Sequence, residues 1–194
     1  MDLVSRVKGI LLTPKSEWAT IDTEPATVGG LYTGYIIPLA AIPAIAGFIG
    51  NAFIGRLGYR WGTGAALTAA VVGFVGAVVG TYILALIIDA LAPSFGGQKS
   101  QIQALKVAAF SATASWVAGI FAILPALAIL SILGLYSLYL LFLGLPTLMK
   151  APQEKAMGYT VVVIVCMIVL YFIIGAVTLA VVGSAAMGVG ALRP

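Results

Sequence analysis

Residues 107–148 read VAAFSATASWVAGIFAILPALAILSILGLYSLYLLFLGLPTL, a run without one charged side chain. As a single helix it would measure about 63 Å, twice the roughly 30 Å of a bilayer's hydrocarbon core. It must therefore double back. Pro125 is the helix breaker near its middle, so a tight turn is predicted around residues 124–126. A chain with two such apolar crossings side by side belongs in lipid.

Three further apolar runs flank this pair, which gives crossings at about 31–54, 65–91, 107–124, 126–148 and 159–183. Backbone N–H and C=O groups find no water in hydrocarbon, so each run must bond within itself as a helix. Pro38 and Pro43 fall inside the first run. The fold class is all-α: a polytopic membrane protein, a bundle of five transmembrane helices over 31–194, preceded by short amphipathic helices in an N-terminal interfacial segment, 1–30.

Composition agrees. The 194 residues are 62% hydrophobic and 8% charged, against about 25% charged in an ordinary soluble domain. The net charge of +4 comes from scattered Lys and Arg, not a basic block, so nucleic acid is not expected as a partner. Cys166 is the single cysteine, which rules out an intramolecular disulfide, and it sits in an apolar run as a small core residue would.

The N-terminal segment is patterned differently. Leu3, Val4, Val7, Ile10 and Leu11 share one helical face, while Asp2, Ser5, Arg6 and Lys8 lie largely elsewhere. Thr13-Pro14 reads as N-cap and first residue of a second short helix carrying Trp18. Two placements fit: on the membrane surface with Trp18 at the headgroup boundary, or packed on the protein's own loops.

Orientation follows from the positive-inside rule. With the N-terminus cytoplasmic, the inside segments hold Arg6, Lys8, Lys15, Lys99, Lys106, Lys150 and Lys155, and the outside ones Arg56, Arg60 and Arg193. The C-terminus is then outside. Trp18, Lys99, Lys106, Lys150, Glu154 and Lys155 are the candidates for contact with headgroups or a partner.

Small residues bring helices together in lipid, where burying leucine gives little drive. The second run carries Gly73, Gly76 and Gly80 among many alanines, and the fifth carries Gly175, Ala176, Ala180, Gly183 and Ala186. Both are therefore expected at the centre of the bundle. Internal packing is the simpler use of the Gly76–Gly80 pair, a homodimer seam the alternative.

Chemistry has few places to live. The chain has no histidine, which removes His-based acid–base catalysis and most zinc sites. No phosphate-binding or dinucleotide-binding motif occurs, so neither a catalytic residue nor a cofactor is expected. Asp89 is the one acidic residue inside an apolar run. A carboxylate there costs about 2.5–3.5 kcal/mol at the bilayer centre. It is either a cation or proton site, hence the one metal candidate, or an interfacial residue paired with Lys99 or Lys106. Ser111, Thr113 and Ser115 offer a polar seam in the third run, or hydroxyls bonded to their own preceding turns.

Four stretches, VKGILLTPKSEW (7–18), EPATVGGLYTGY (24–35), IDALAPSFGGQKS (88–100) and LYSLYLLFLGLPTLMKAPQEKAMGY (135–159), resemble the YIP family of five-helix membrane proteins, in particular its compact bacterial branch. The resemblance implies five spans, a cytoplasmic N-terminus and location in a bacterial inner membrane. Eukaryotic relatives work with Rab-type GTPases, but the segment before the first span is short here, so a GTPase partner is not expected. Where the family pattern has Thr-Pro early in the third helix, this chain has Thr113-Ala114. The function expected is a membrane scaffold or adaptor acting through helix–helix and loop contacts, with the lipid bilayer, other membrane proteins or a second copy as partners. The rival is a small cation transporter or channel using Asp89; a third option is a membrane-shaping protein.

Overall fold

The computed structural model describes residues 2–55 and 60–191, with backbone alone at 125, 126, 128 and 184–191. Arg56, Arg193 and the side chain of Ala186 thus lie outside the described residues. Every regular element among them is helical. Five helices are long and apolar enough to cross a membrane: Val28–Ile54, Thr63–Phe95, Gln101–Ile123, Ile129–Met149 and Gln153–Gly183. Two short helices, α1 (Leu3–Leu12) and α2 (Pro14–Thr23), precede them.

The predicted turn between the third and fourth spans is where Pro125 requires it. Leu124 is extended (φ −111°, ψ 117°) between two stretches of 3-10 helix. The two arms then zip together: the Ser115 hydroxyl donates to Gly134 O (3.0 Å) and lies 2.9 Å from the Ser137 hydroxyl. Ser115 therefore uses the hairpin's other arm and not its own preceding turn.

The first span accommodates Pro38 by widening. Proline supplies no N–H, and the turn before it is a π-turn in which Ile37 N–H reaches back to Tyr32 O. The third span breaks at Ala112 (ψ −9°) although no proline follows Thr113. There the Thr113 hydroxyl donates to Phe110 O (2.7 Å) and accepts from the Tyr35 hydroxyl of the first span (2.7 Å).

The centre of the bundle is the third span, not the second and fifth as expected from their small residues. Over its most apolar window the third span is 56% buried, against 17% for the second and 11% for the fifth. Mean hydropathy runs the opposite way, 1.5 for the third span and 3.0 for the fifth. In lipid the greasiest helix loses nothing by facing outward, whereas a helix with polar side chains must turn them inward. The glycine pair does serve internal packing: a Cβ on Gly76 would stand 2.6 Å from Ile174 of the fifth span, and one on Gly80 would stand 3.2 Å from it.

The third and fifth spans each begin six residues before the positions 107 and 159 expected from hydropathy, at Gln101 and Gln153. Lys106, Glu154 and Lys155 are consequently helical rather than in loops. Glu154 sits in the first turn of its helix, where a carboxylate complements the helix dipole. Two short connections close this end: Gly96 in the left-handed region (φ 74°) after the second span, and Lys150, also left-handed (φ 54°), after the fourth. They are tied together by Gln98 N–H to Met149 O (2.7 Å).

Candidate functional site

The charged side chains converge at the end of the bundle that carries α1 and α2. Asp2 caps α1 by accepting from Ser5 N–H. Thr13 stands at the N-cap position of α2 with Pro14 after it, but its hydroxyl donates back to Gly9 O (3.1 Å) and makes no cap. The two helices fold on each other at Gly9, where a Cβ would stand 2.5 Å from the Glu17 carboxylate. That approach lets Glu17 reach Arg6 on the preceding turn.

Arg6 belongs to the buried face of α1, not to its polar side. It is 5% exposed, directly one turn before Ile10 at 0%. Its guanidinium donates to Glu17 (2.6 Å) and to Glu24, and lies over the Phe110 ring at 5.6 Å. The hydrogen bond from Arg6, opposed by partial burial, holds the Glu24 carboxyl below its ordinary value.

A second set of contacts fastens α2 to the spans. Lys106, inside the third span and 4% exposed, donates to Ile21 O (2.8 Å) and Glu24 O (2.6 Å), the carbonyls at the C-terminal end of α2. Gln103 donates to Asp22 O and Oδ1 (3.1 Å each), and Lys150 pairs with Asp22 at 2.5 Å. Trp18 is 1% exposed, so its indole is enclosed by the protein and does not itself face headgroups. It lies flat on the fourth span at Gly144, where a Cβ would stand 2.7 Å from the ring, and edge-on to Phe110. Of the two placements read for α1 and α2, these are the contacts of helices packed on the protein.

Lys106 and Lys150 thus meet in one layer with Trp18. Lys99, Glu154 and Lys155 are exposed on the same face and are not part of that layer. Asp89 stands apart from both lysines proposed for it: no ion pair joins them among the described residues. One of its oxygens, Oδ1, is buried without a hydrogen-bond partner. No group of three or more His, Cys, Asp or Glu able to hold a metal occurs among the described residues. Arg6, Glu17, Asp22, Glu24 and Gln103 were not singled out by sequence reasoning. A signal existed: in a chain 8% charged, carboxylates and an arginine within 25 residues of the N-terminus are conspicuous.

Fold and face together define a five-span helical membrane protein whose N-terminal helices are clamped across one end of the bundle. Residues 8–189 match the Yip1 domain, and the chain belongs to the Yip1 family. It is similar to the inner membrane protein YohC of Escherichia coli strain K12, 26% identical over 168 residues covering 81% of this chain and 85% of that one. The YohC protein of E. coli O6:H1 strain CFT073 matches to the same extent. No solved structure matches the chain significantly.

Proposed function

We propose that the protein is a non-catalytic scaffold or adaptor of a bacterial inner membrane, the membrane named for its relative YohC. The observation that carries this reading is the clamped layer. Arg6 pairs α1 with α2, Lys106 bonds α2 to the third span, the Lys150–Asp22 pair holds α2 to the end of the fourth, and a backbone bond joins the two short connections, so sequence-distant segments form one plate. Lys8, Lys15, Lys99 and Lys155 are exposed on it. A rigid, basic plate flush with the membrane suits recognition of another membrane protein or a second copy; neither nucleic acid nor a GTPase is among the partners proposed. The clustering of basic residues on this face supports a cytoplasmic N-terminus and an external C-terminus.

Crosslinking in native membranes followed by purification should recover specific membrane proteins or a second copy. Gly144→Leu, which evicts the Trp18 ring, should abolish that recovery while the five spans still insert. Recovery of background alone, or recovery indifferent to Gly144→Leu, would rule the adaptor out.

A cation pathway through Asp89 is the second reading, favoured by its buried, unpartnered Oδ1. Liposomes holding the protein should then pass a cation, with flux reduced by Asp89→Asn. Tight liposomes across a panel of ions would dispose of it.

A further inference from the structure

A cleft of about 430 Å³ opens beside the clamp, between α1, the end of α2, the start of the first span and the third span. Arg6, Glu24, Lys106, Gly30, Gly34 and Tyr35 are among the residues that line it. An ammonium carries three N–H donors. Lys106 directs two of them to the carbonyls of Ile21 and Glu24, both neutral, and forms no ion pair among the described residues. Arg6 pairs with both Glu17 and Glu24, one cation against two carboxylates. Lys106 is therefore a nearly buried cation at the wall of an open cleft, balanced at a distance by the Asp22 and Glu24 carboxylates and left with one N–H to donate. A buried donor left unmatched is costly, which favours an acceptor in the cleft.

The position of the cleft narrows the choice of acceptor. Lys106 lies five residues into the third span, about 8 Å along the helix from Gln101, the depth of headgroups rather than of bulk water. On the first span Gly30 and Gly34 are exposed, one turn apart, and nothing stands within 4 Å of where a Gly34 Cβ would be. They leave a strip of the span bare of side chains that starts at the cleft. At the rim, Glu24 uses one carboxylate oxygen on Arg6, and its other accepts no hydrogen bond among the described residues.

We propose that this cleft holds one phospholipid of the phosphatidylethanolamine kind. Its phosphodiester accepts from the third N–H of Lys106, its ammonium meets Glu24, and one acyl chain runs over Gly30 and Gly34. Both free phosphate and an anionic phospholipid share the phosphate chemistry but lack, respectively, the tail and the ammonium. The inference does not depend on the adaptor role.

Native mass spectrometry of the full chain, delipidated in mild detergent and titrated with phosphatidylethanolamine, phosphatidylglycerol or inorganic phosphate, tests it. One phosphatidylethanolamine should bind, phosphatidylglycerol more weakly, and millimolar phosphate should not displace it. Lys106→Gln should weaken binding about tenfold, the scale of one charge-assisted hydrogen bond. Gly34→Leu, whose side chain enters open space and should leave thermal melting unchanged, should weaken it similarly by covering that bare strip. Absence of a bound lipid, or unaltered binding by Gly34→Leu, overturns the site. Displacement by phosphate would make it an anion site, and equal binding of phosphatidylglycerol would remove Glu24; either result overturns the assignment.

Discussion

Arg6 shows how a single charge can organise one end of a membrane bundle. Its guanidinium is enclosed by two carboxylates and the Phe110 ring, so removing it alone strands Glu17, itself 8% exposed. Breaking a buried pair from one side costs about 3–5 kcal/mol, whereas replacing both partners with apolar groups is often neutral. Arg6→Met should therefore lower the melting temperature in detergent markedly, and Arg6→Met with Glu17→Leu should restore most of it. Glu24 adds a pH dependence. Its carboxyl titrates lower in the folded chain than its ordinary value of 4.5, so its stabilising contribution is complete above that value and fades as pH falls through the lower, folded one. Proteolysis at Lys8 and Lys15 should accelerate as the pH drops below about 4.5, and Glu24→Gln should flatten that profile.

Among the helices, small residues play two roles that composition does not separate. Gly76 and Gly80 receive Ile174 from the fifth span. Gly73 has nothing within 4 Å of a would-be Cβ and instead lines a cleft of about 220 Å³ between the first and second spans, with Pro43 and Gly47. Gly76→Leu should thus displace the fifth span and lower thermal stability by about 1–3 kcal/mol, the usual cost of overpacking. Gly73→Leu should leave the melting temperature in place. Equal effects from the two variants would refute this division. The two N-terminal helices illustrate the same point from the polar side: their apolar faces are turned onto the spans, with Ile10, Trp18 and Ile21 in the core.

For the molecule as a whole, five crossings place the N-terminal helices and the connections at 96–100 and 150–152 on one face, joined by the Gln98–Met149 and Lys150–Asp22 contacts. In a Cys166→Ser background, single cysteines at Lys8, Lys99 and Lys155 should be labelled by an impermeant thiol reagent from one side of sealed vesicles. A cysteine at Arg60 should be labelled from the other. Labelling of Lys8→Cys and Lys99→Cys from opposite sides would break the five-span topology.

Much of this architecture was legible in the residues alone. Apolar runs longer than a bilayer is thick, interrupted by Pro125 or by polar connections, leave the backbone no alternative to five helices, because unpaired amides are intolerable in hydrocarbon. The GxxxG pair and the short N-terminal helices were legible for similar local reasons. The centre of the bundle, the burial of Arg6 and Lys106, and the seat of Trp18 on Gly144 were not. Hydropathy reports whether a residue tolerates lipid, but in a bilayer apolar side chains are equally content facing outward or inward. Which faces meet is decided by polar groups that must find each other across the chain, and those partners are 11, 18, 82 and 128 residues apart. Only the folded chain brings them together.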